Sequence, residues 1–118
     1  MTFHVDVHDG PGYPRVVAHG VARYADVIRI AEVVATAAAE RGATRALIDL
    51  RHAEPALTLS DHLAVGEHAA RCWTHLNRVA SAVASQDRIG TSELSARARG
   101  ANLRTFVTIE DAERWLSE

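Results

Sequence analysis

The stretch TRALIDL (residues 44–50) is a short, nearly continuous apolar run, and it predicts a β-strand that is covered on both faces. A strand of this kind lies inside a sheet that has helices on both sides. A helical pattern over residues 24–41 precedes it, and a second helical pattern over residues 61–76 follows it. Strands that alternate with helices pair in parallel through crossover connections, so the stretch indicates an α/β fold.

The alternation of strands and helices continues on either side of this run. Residues 3–8 alternate apolar with polar side chains and predict a strand with one buried face. The turn signal DGPG separates them from residues 15–19, which predict the hairpin partner. Further along, the pattern predicts strands over residues 79–85 and 103–108, a helix over residues 89–99 and a closing helix that carries Trp115. We expect one α/β domain over residues 1–118, with a mixed, mostly parallel five-stranded sheet and about four helices.

Composition and charge exclude several classes of protein. The chain of 118 residues has a net charge of −2, so it offers no basic excess to neutralise phosphates, and we expect no nucleic-acid partner. The single cysteine, Cys72, cannot form an internal disulfide. The first residues lack the pattern of a secretory leader, and no apolar run approaches the roughly 20 residues that span a bilayer. We expect a cytoplasmic protein that uses no cofactor.

Three stretches add a more specific signal. ALIDL (residues 46–50) ends in an Asp-Leu pair, RVA (residues 78–80) opens the next strand, and NLRTFVTIEDAERWL (residues 102–116) forms a strand and a helix that finishes in Ala-x-x-Trp-Leu. With the order of elements, these stretches resemble the STAS-like group, above all the single-domain SpoIIAA-like proteins. The resemblance implies a non-enzymatic regulatory or binding module that acts through a protein partner or a small ligand. A second copy of the chain is one candidate partner.

The start of the second helix carries two candidate regulatory residues. In the anti-sigma factor antagonists that the chain resembles, an Asp-Ser pair stands here and its serine accepts a phosphate; in this chain the order is reversed, Ser60-Asp61. The resemblance makes Ser60 a phosphoacceptor candidate, with Thr58 in the preceding loop as a second. A phosphate is stabilised at a helix N-terminus by unpaired N–H groups and the helix dipole. The alternative is that Ser60 only caps the helix, since serine is among the best N-cap residues.

Polar residues also follow two of the predicted parallel strands. The carboxyl ends of parallel strands meet at one edge of a sheet, and this edge is the usual ligand position in such folds. The alternative is that these side chains cap the turns between strands and helices. The residues that would form this ligand crevice are Asp49, Arg51, His52, Ser85, Asp87 and Arg88.

A row of small residues suggests a different kind of site. Ala80, Ala82 and Ala84 share one face of the predicted strand over residues 79–85. Such a row leaves room for an apolar pocket between sheet and helices, which would make the protein a carrier of a small apolar ligand. The alternative is that a helix packs closely against the row, since protein interiors are normally filled.

Motifs for catalysis and for metal binding are weak. No nucleophile elbow or phosphate-binding loop stands in the sequence, so a small enzyme ranks third among the functions. His4, Asp6 and His8 share a strand face, but the Cα atoms of the two histidines are roughly 13 Å apart, too far for one ion. His68, Cys72 and His75 follow helical spacing, but Cys72 belongs to the predicted buried stripe as a small core residue, and the two histidines only flank that stripe. We expect no bound metal.

Overall fold

The computed structural model describes residues 3–88 and 90–118, and these form one sheet with helices on both sides. The strands are β1 (His4–Asp9), β2 (Pro14–Ala22), β3 (Arg45–Pro55), β4 (Arg78–Ala82) and β5 (Leu103–Phe106). The helices are α1 (Tyr24–Glu40), α2 (Leu59–Cys72), α3 (Thr91–Ala98) and α4 (Ile109–Ser117), with a 3₁₀ turn at Gln86–Arg88.

The strands lie side by side in chain order. β1 and β2 form an antiparallel hairpin, and every later strand pairs in parallel with the one before it. This confirms the predicted mixed, mostly parallel five-stranded α/β sheet. Parallel neighbours in sequence need a crossover helix, and α1, α2 and α3 provide the crossovers.

Alternation along the strands separates two cores. Ile48 points to the face covered by α1, α2 and α3, which we call the α1 face, and Leu47 points to the face covered by α4, the α4 face. The core of the α1 face includes Val16, Val34, Ile48, Ala69, Trp73, Val79 and Leu103. The core of the α4 face consists of Tyr13, Leu47, Ala80, Ala82, Ile109, Ala112, Trp115 and Leu116. α4 packs on β3, β4 and β5.

β3 is longer than its apolar run. The sequence predicts a loop after Leu50, but the strand continues to Pro55 because its end pairs with the end of β2, from His19 opposite His52 to Ala22 opposite Pro55. The register shifts just before His19. Pro55 is tolerated as the last strand residue, where its missing N–H interrupts no later bond.

α2 begins earlier than predicted, and its N-cap is Thr58. Thr58 Oγ1 accepts the Asp61 N–H at 3.1 Å, and the Asp61 carboxylate accepts the Thr58 N–H at 3.0 Å. This reciprocal pair satisfies two backbone donors at the helix start. The prediction that Ser60 caps the helix is therefore wrong, because Ser60 lies within the first turn.

The C-terminal half follows the predicted order with shorter elements. β4 ends at Ala82, three residues before the predicted end, and the predicted helix over residues 89–99 is the shorter α3. Ile89, its predicted first residue, lies outside the described residues. Thr108 caps the last helix, since its Oγ1 accepts the Asp111 N–H at 3.1 Å. In the described part of the chain, no helix combines the length and the apolar character that crossing a membrane requires.

Candidate functional site

A cavity of about 350 Å³ lies between the α1 face of the sheet and the helices that cover it. Ligand sites in proteins have volumes of roughly 300–1,000 Å³, and a dry apolar cavity of about 150 Å³ already accepts benzene. The space is therefore large enough for a small organic molecule. Most of its wall is apolar, with Ile30 and Ala31 from α1, Val65 and Ala69 from α2, Trp73 after α2, and Ile48, Leu50 and Ala53 from β3.

Small residues around the cavity explain why it is not filled. Ala31, Ala53 and Ala69 are all buried and line it, and Gly66 and Ser81 add two further short side chains. None of these five residues carries a side chain that extends far beyond its Cβ atom. The neighbouring elements would have to approach one another to close the gap.

Two contacts join the covering helices to one another. Trp73 Nε1 donates a hydrogen bond to the Ala31 carbonyl at 3.0 Å, so the buried indole links the end of α2 to α1. α2 and α3 touch at Gly66, where an added Cβ atom would lie 2.5 Å from Ser95 Cβ. Ser95 Oγ also donates to the Leu63 carbonyl at 2.8 Å. The three helices are thus linked to one another above the cavity.

The cavity opens to solvent where its lining becomes exposed. Pro55, Asp87 and Arg88 line this end and are all exposed. Arg88 Nη1 donates to the Ala53 carbonyl at 2.9 Å, which places the guanidinium at the mouth. The Asp87 carboxylate accepts the Ser85 hydroxyl, and this hydrogen bond lowers the pKa of Asp87.

Polar residues inside the cavity bond to one another. His62 Nδ1 and Ser92 Oγ are 2.8 Å apart, which joins α2 to α3. Glu93 Oε1 accepts the Thr105 N–H, and Ser81 Oγ donates to Thr105 Oγ1 at 3.0 Å. The polar groups therefore connect α3 to α2 and to the ends of β4 and β5.

The six residues of the predicted crevice do not form one site. Asp87 and Arg88 lie at the cavity mouth, and Ser85 bonds to Asp87. Asp49 is two residues after Leu47 on β3, so its side chain points to the same α4 face. Arg51 lies on that face as well and bonds to Asp49. The prediction failed because Asp49 lies within β3 on the α4 face, whereas Asp87 and Arg88 lie beyond the end of β4, in the 3₁₀ turn at the mouth of the cavity.

Asp49 is instead the anchor of a buried ion-pair cluster. It is 1% exposed, and Arg51 Nε and Nη2 each donate to it at 2.9 Å, while Arg15 Nη2 donates at 3.2 Å. Burial by itself raises the pKa of Asp49, but the hydrogen bonds from Arg51 and Arg15 outweigh burial and lower this pKa to about 2. The carboxylate is charged, and each of its two oxygens accepts two hydrogen bonds. This cluster therefore stabilises the fold and leaves no acceptor for a ligand.

His52 lies apart from both groups. Its ring stacks on that of His19, with centroids 5.6 Å apart and planes 7° from parallel. Both histidines are exposed. They lie on the part of the sheet that α4 leaves uncovered, since His19 belongs to β2 and points away from the core residue Ala18.

The alanine row packs against a helix. Ala80 and Ala82 are fully buried in the α4-face core beside Ala112 and Trp115, while Ala84 is exposed beyond the end of β4. The cavity lies on the other face of the same strand, which contributes Ser81. The row is thus not the lining of the cavity, because the bulky side chains of α4 occupy the space above it.

The candidate regulatory residues differ in accessibility of the hydroxyl. Thr58 Oγ1 is engaged in the cap of α2, whereas Ser60 is exposed in the first turn of the helix. Their role as phosphoacceptors stays a prediction. Over residues 3–88 and 90–118, no three His, Cys, Asp or Glu side chains are grouped so that they could hold a metal ion.

Sequence reasoning missed the polar residues inside the cavity. His62 and Ser92 are 30 positions apart, and Glu93 meets Thr105 from another element. The glycine at position 66 was the available signal, because a glycine inside a helical pattern marks a close approach of another element. That signal locates the contact of α2 with α3 without identifying the side chains nearby.

Two solved structures share this architecture, although no family model and no curated protein matches the chain. An uncharacterized protein of the DUF3478 family from Shewanella loihica PV-4, with a SpoIIAA-like fold, aligns with a TM-score of 0.59 and 20% identity over 97% of this chain and 93% of its own. The anti-sigma factor antagonist SpoIIAA in its unphosphorylated form aligns with a TM-score of 0.56 and 13% identity over 97% and 98%. The chain therefore has the SpoIIAA-like, or STAS-like, fold that its sequence pattern predicts.

Proposed function

We propose that this protein is a non-enzymatic binding module of the STAS-like kind, and that it holds a small apolar ligand in the cavity on the α1 face. The cavity of about 350 Å³ carries this proposal. Removing an apolar molecule from water into such a space is favourable by about 25 cal/mol per Å² of apolar surface buried. Bound ligand would also fill contacts that the small residues of the wall leave unmade.

Binding of a neutral apolar fluorophore, N-phenylnaphthylamine, tests the proposal. The native protein should bind it saturably with one site per chain. Ala69→Leu places a larger side chain in the cavity and should abolish the binding, because Ala69 is 2% exposed and lines the wall. Ala82→Leu makes the same change on the α4 face and is the matched control, which should still bind.

Two outcomes would contradict this function. One is an absence of saturable binding by the native protein. The other is unchanged binding by a folded Ala69→Leu variant, since the fluorophore would then occupy some other surface. Circular dichroism of both variants establishes that each is folded before the binding is compared.

A second candidate function is regulation through a protein partner, and exposed leucines on the two covering helices favour it. Leu59 and Leu63 lie one turn apart on α2 and are 66% and 47% exposed, and Leu94 on α3 is 67% exposed. A contiguous exposed apolar patch marks an interaction surface, and the two helices that carry these leucines pack against each other. Ser60 adjoins Leu59, so a phosphate on it would place negative charge beside the contact and weaken it.

The partner function is tested by comparing complexes rather than stability. Proteins recovered with the native chain should be lost with Leu59→Ser and with Ser60→Asp, since Asp mimics the added charge. Ser60→Ala is the control and should retain them. Equal recovery with native protein and Ser60→Asp would remove Ser60 as a switch, and equal recovery with Leu59→Ser would remove this surface as the contact.

A further inference from the structure

We infer that the cavity ligand is an amphiphile, with an apolar chain on the α1 face and a carboxylate head held by Arg88 at the mouth and by the His62–Ser92 pair on the same polar side of the cavity. The inference rests on the function proposed above, and it names the chemical class of the ligand. Its starting point is the uneven distribution of polar groups over the cavity wall.

One side of the cavity is apolar and the other is polar. α1 and β3 line it with apolar residues only, whereas the polar lining comes from the start of α2, the 3₁₀ turn, α3 and the ends of β4 and β5. A ligand that is apolar throughout would remove water from those polar groups without replacing their hydrogen bonds, which is unfavourable. A ligand with one polar end avoids that loss.

The His62–Ser92 pair keeps one hydrogen-bond donor in either protonation arrangement. A neutral imidazole has one N–H and a serine has one O–H, and their contact of 2.8 Å uses one of the two. If Nδ1 donates to Ser92 Oγ, the serine hydroxyl hydrogen remains. If the serine donates to Nδ1, the Nε2–H remains. The pair can therefore donate to a ligand in both cases.

Arg88 supplies the charged donors. Within the residues that the structure describes, its guanidinium bonds to the Ala53 carbonyl and forms no ion pair. Arginine has five N–H donors in a planar fork, and this hydrogen bond uses a donor on Nη1 only. The remaining donors suit an acceptor with two oxygens, because carboxylates bind such a fork in a bidentate manner.

Each carboxylate at the same end of the cavity accepts one hydrogen bond. Asp87 accepts the Ser85 hydroxyl, and Glu93 accepts the backbone N–H of Thr105. They repel an anionic head by charge, but Asp87 is exposed and its charge is screened by water and salt. Both carboxylates keep further acceptor positions, so the preference for an accepting head rests on the Arg88 guanidinium, whose planar fork matches a group with two oxygens.

Titration calorimetry at neutral pH with octanoate, octanol and octylammonium tests this assignment, because the three probes share one chain and differ in the head. The native protein should bind octanoate about tenfold more tightly than octanol, the value of one charge-assisted hydrogen bond at a partly hydrated site. Octylammonium should bind more weakly than octanol. Arg88→Gln should reduce the ratio of octanoate to octanol affinity toward one. Arg114→Gln, an exposed change on α4, is the matched control and should keep the native ratio.

The outcomes separate the two proposals. If octanol binds as tightly as octanoate, if octylammonium is preferred, or if Arg88→Gln keeps the native ratio, the carboxylate assignment is wrong while the apolar cavity function stands. If none of the three probes binds, the proposed function fails, and the assignment fails with it.

Discussion

On the α4 face, Ala80 and Ala82 are fully buried because α4 packs directly against them. On the α1 face, Ala31 and Ala69 are just as well buried from outside, yet they surround a cavity of about 350 Å³. On the α4 face a single helix packs its large side chains, Trp115 among them, directly against the sheet. On the α1 face the covering helices contact one another. Small residues therefore permit close packing in one arrangement and leave space in the other.

Removal of Trp115 is expected to have the largest effect on stability, because it disrupts the closely packed core of the α4 face. Trp115→Ala removes a side chain that is 9% exposed in the α4-face core, and it should lower the free energy of unfolding by about 3–5 kcal/mol. Urea denaturation measures the change. Leu94→Ala, at an exposed position of α3, is the control and should stay within about 0.5 kcal/mol of the native protein. A loss below about 1 kcal/mol for Trp115→Ala would show that α4 is not tightly packed.

The same alanine-to-leucine change on each face tests how closely the residues of that face are packed. Ala82→Leu has no space to enter and should destabilise by about 1–3 kcal/mol through overpacking. Ala69→Leu can extend into the cavity, and leucine is nearly as good a helix former as alanine, so its loss should be clearly smaller. Equal losses in denaturation would mean that the two faces are packed alike.

Acid titration probes the ion-pair cluster on the α4 side. The pKa of Asp49 is lowered to about 2, below the value of about 3.9 in an unfolded chain, so its contribution is complete above that unfolded value. The contribution is lost as the pH falls toward the folded pKa, and it amounts to about 2 kcal/mol. Unfolding free energies measured across this range should fall more for the native protein than for Asp49→Asn. Parallel curves for the two proteins would contradict the role of the cluster.

The smallest expected effect concerns the first turn of α2, which begins the cover of the cavity. Thr58→Ala should destabilise by about 1 kcal/mol, since it removes the acceptor of the Asp61 N–H. Ser60→Ala should change the melting temperature little, because Ser60 is exposed inside the helix. The reverse order of the two effects would restore Ser60 as the cap.

Sequence patterns were sufficient for the order and pairing of the elements. The run at residues 44–50 predicted a strand covered on both sides, and the alternation of residues 3–8 together with the turn signal DGPG predicted the hairpin at the antiparallel edge. These predictions rest on local hydrophobic spacing, which follows directly from the geometry of strands and helices. The comparison structures share the resulting architecture.

Boundaries were harder to predict because they depend on partners far along the chain. β3 continues to Pro55 because its end pairs with the end of β2. No local pattern over residues 51–55 predicts a strand. At α2 the sequence analysis took Ser60 as the cap, and the reciprocal bonds of Thr58 and Asp61 instead make Thr58 the cap. A capping box satisfies two donors where a lone serine satisfies one.

The site was the least predictable part. The sequence suggested a pocket beside Ala80 and Ala82, and the cavity lies on the opposite face, beside Ser81. Spacing shows which residues share a face, but it does not show whether a helix will fill the space above them. That outcome depends on long-range contacts such as the hydrogen bond from Trp73 to Ala31.

The two tryptophans of the chain allow the central claim to be tested in one measurement. Trp73 lines the cavity on the α1 face, and Trp115 is buried on the α4 face. Octanol is added to ¹⁵N-labelled protein while the two indole N–H signals are followed by NMR, with Trp73→Phe and Trp115→Phe to assign them. We predict a saturable shift of the Trp73 signal and an unchanged Trp115 signal. A shift confined to Trp115, or no shift of either signal at saturating octanol, would contradict a ligand site on the α1 face.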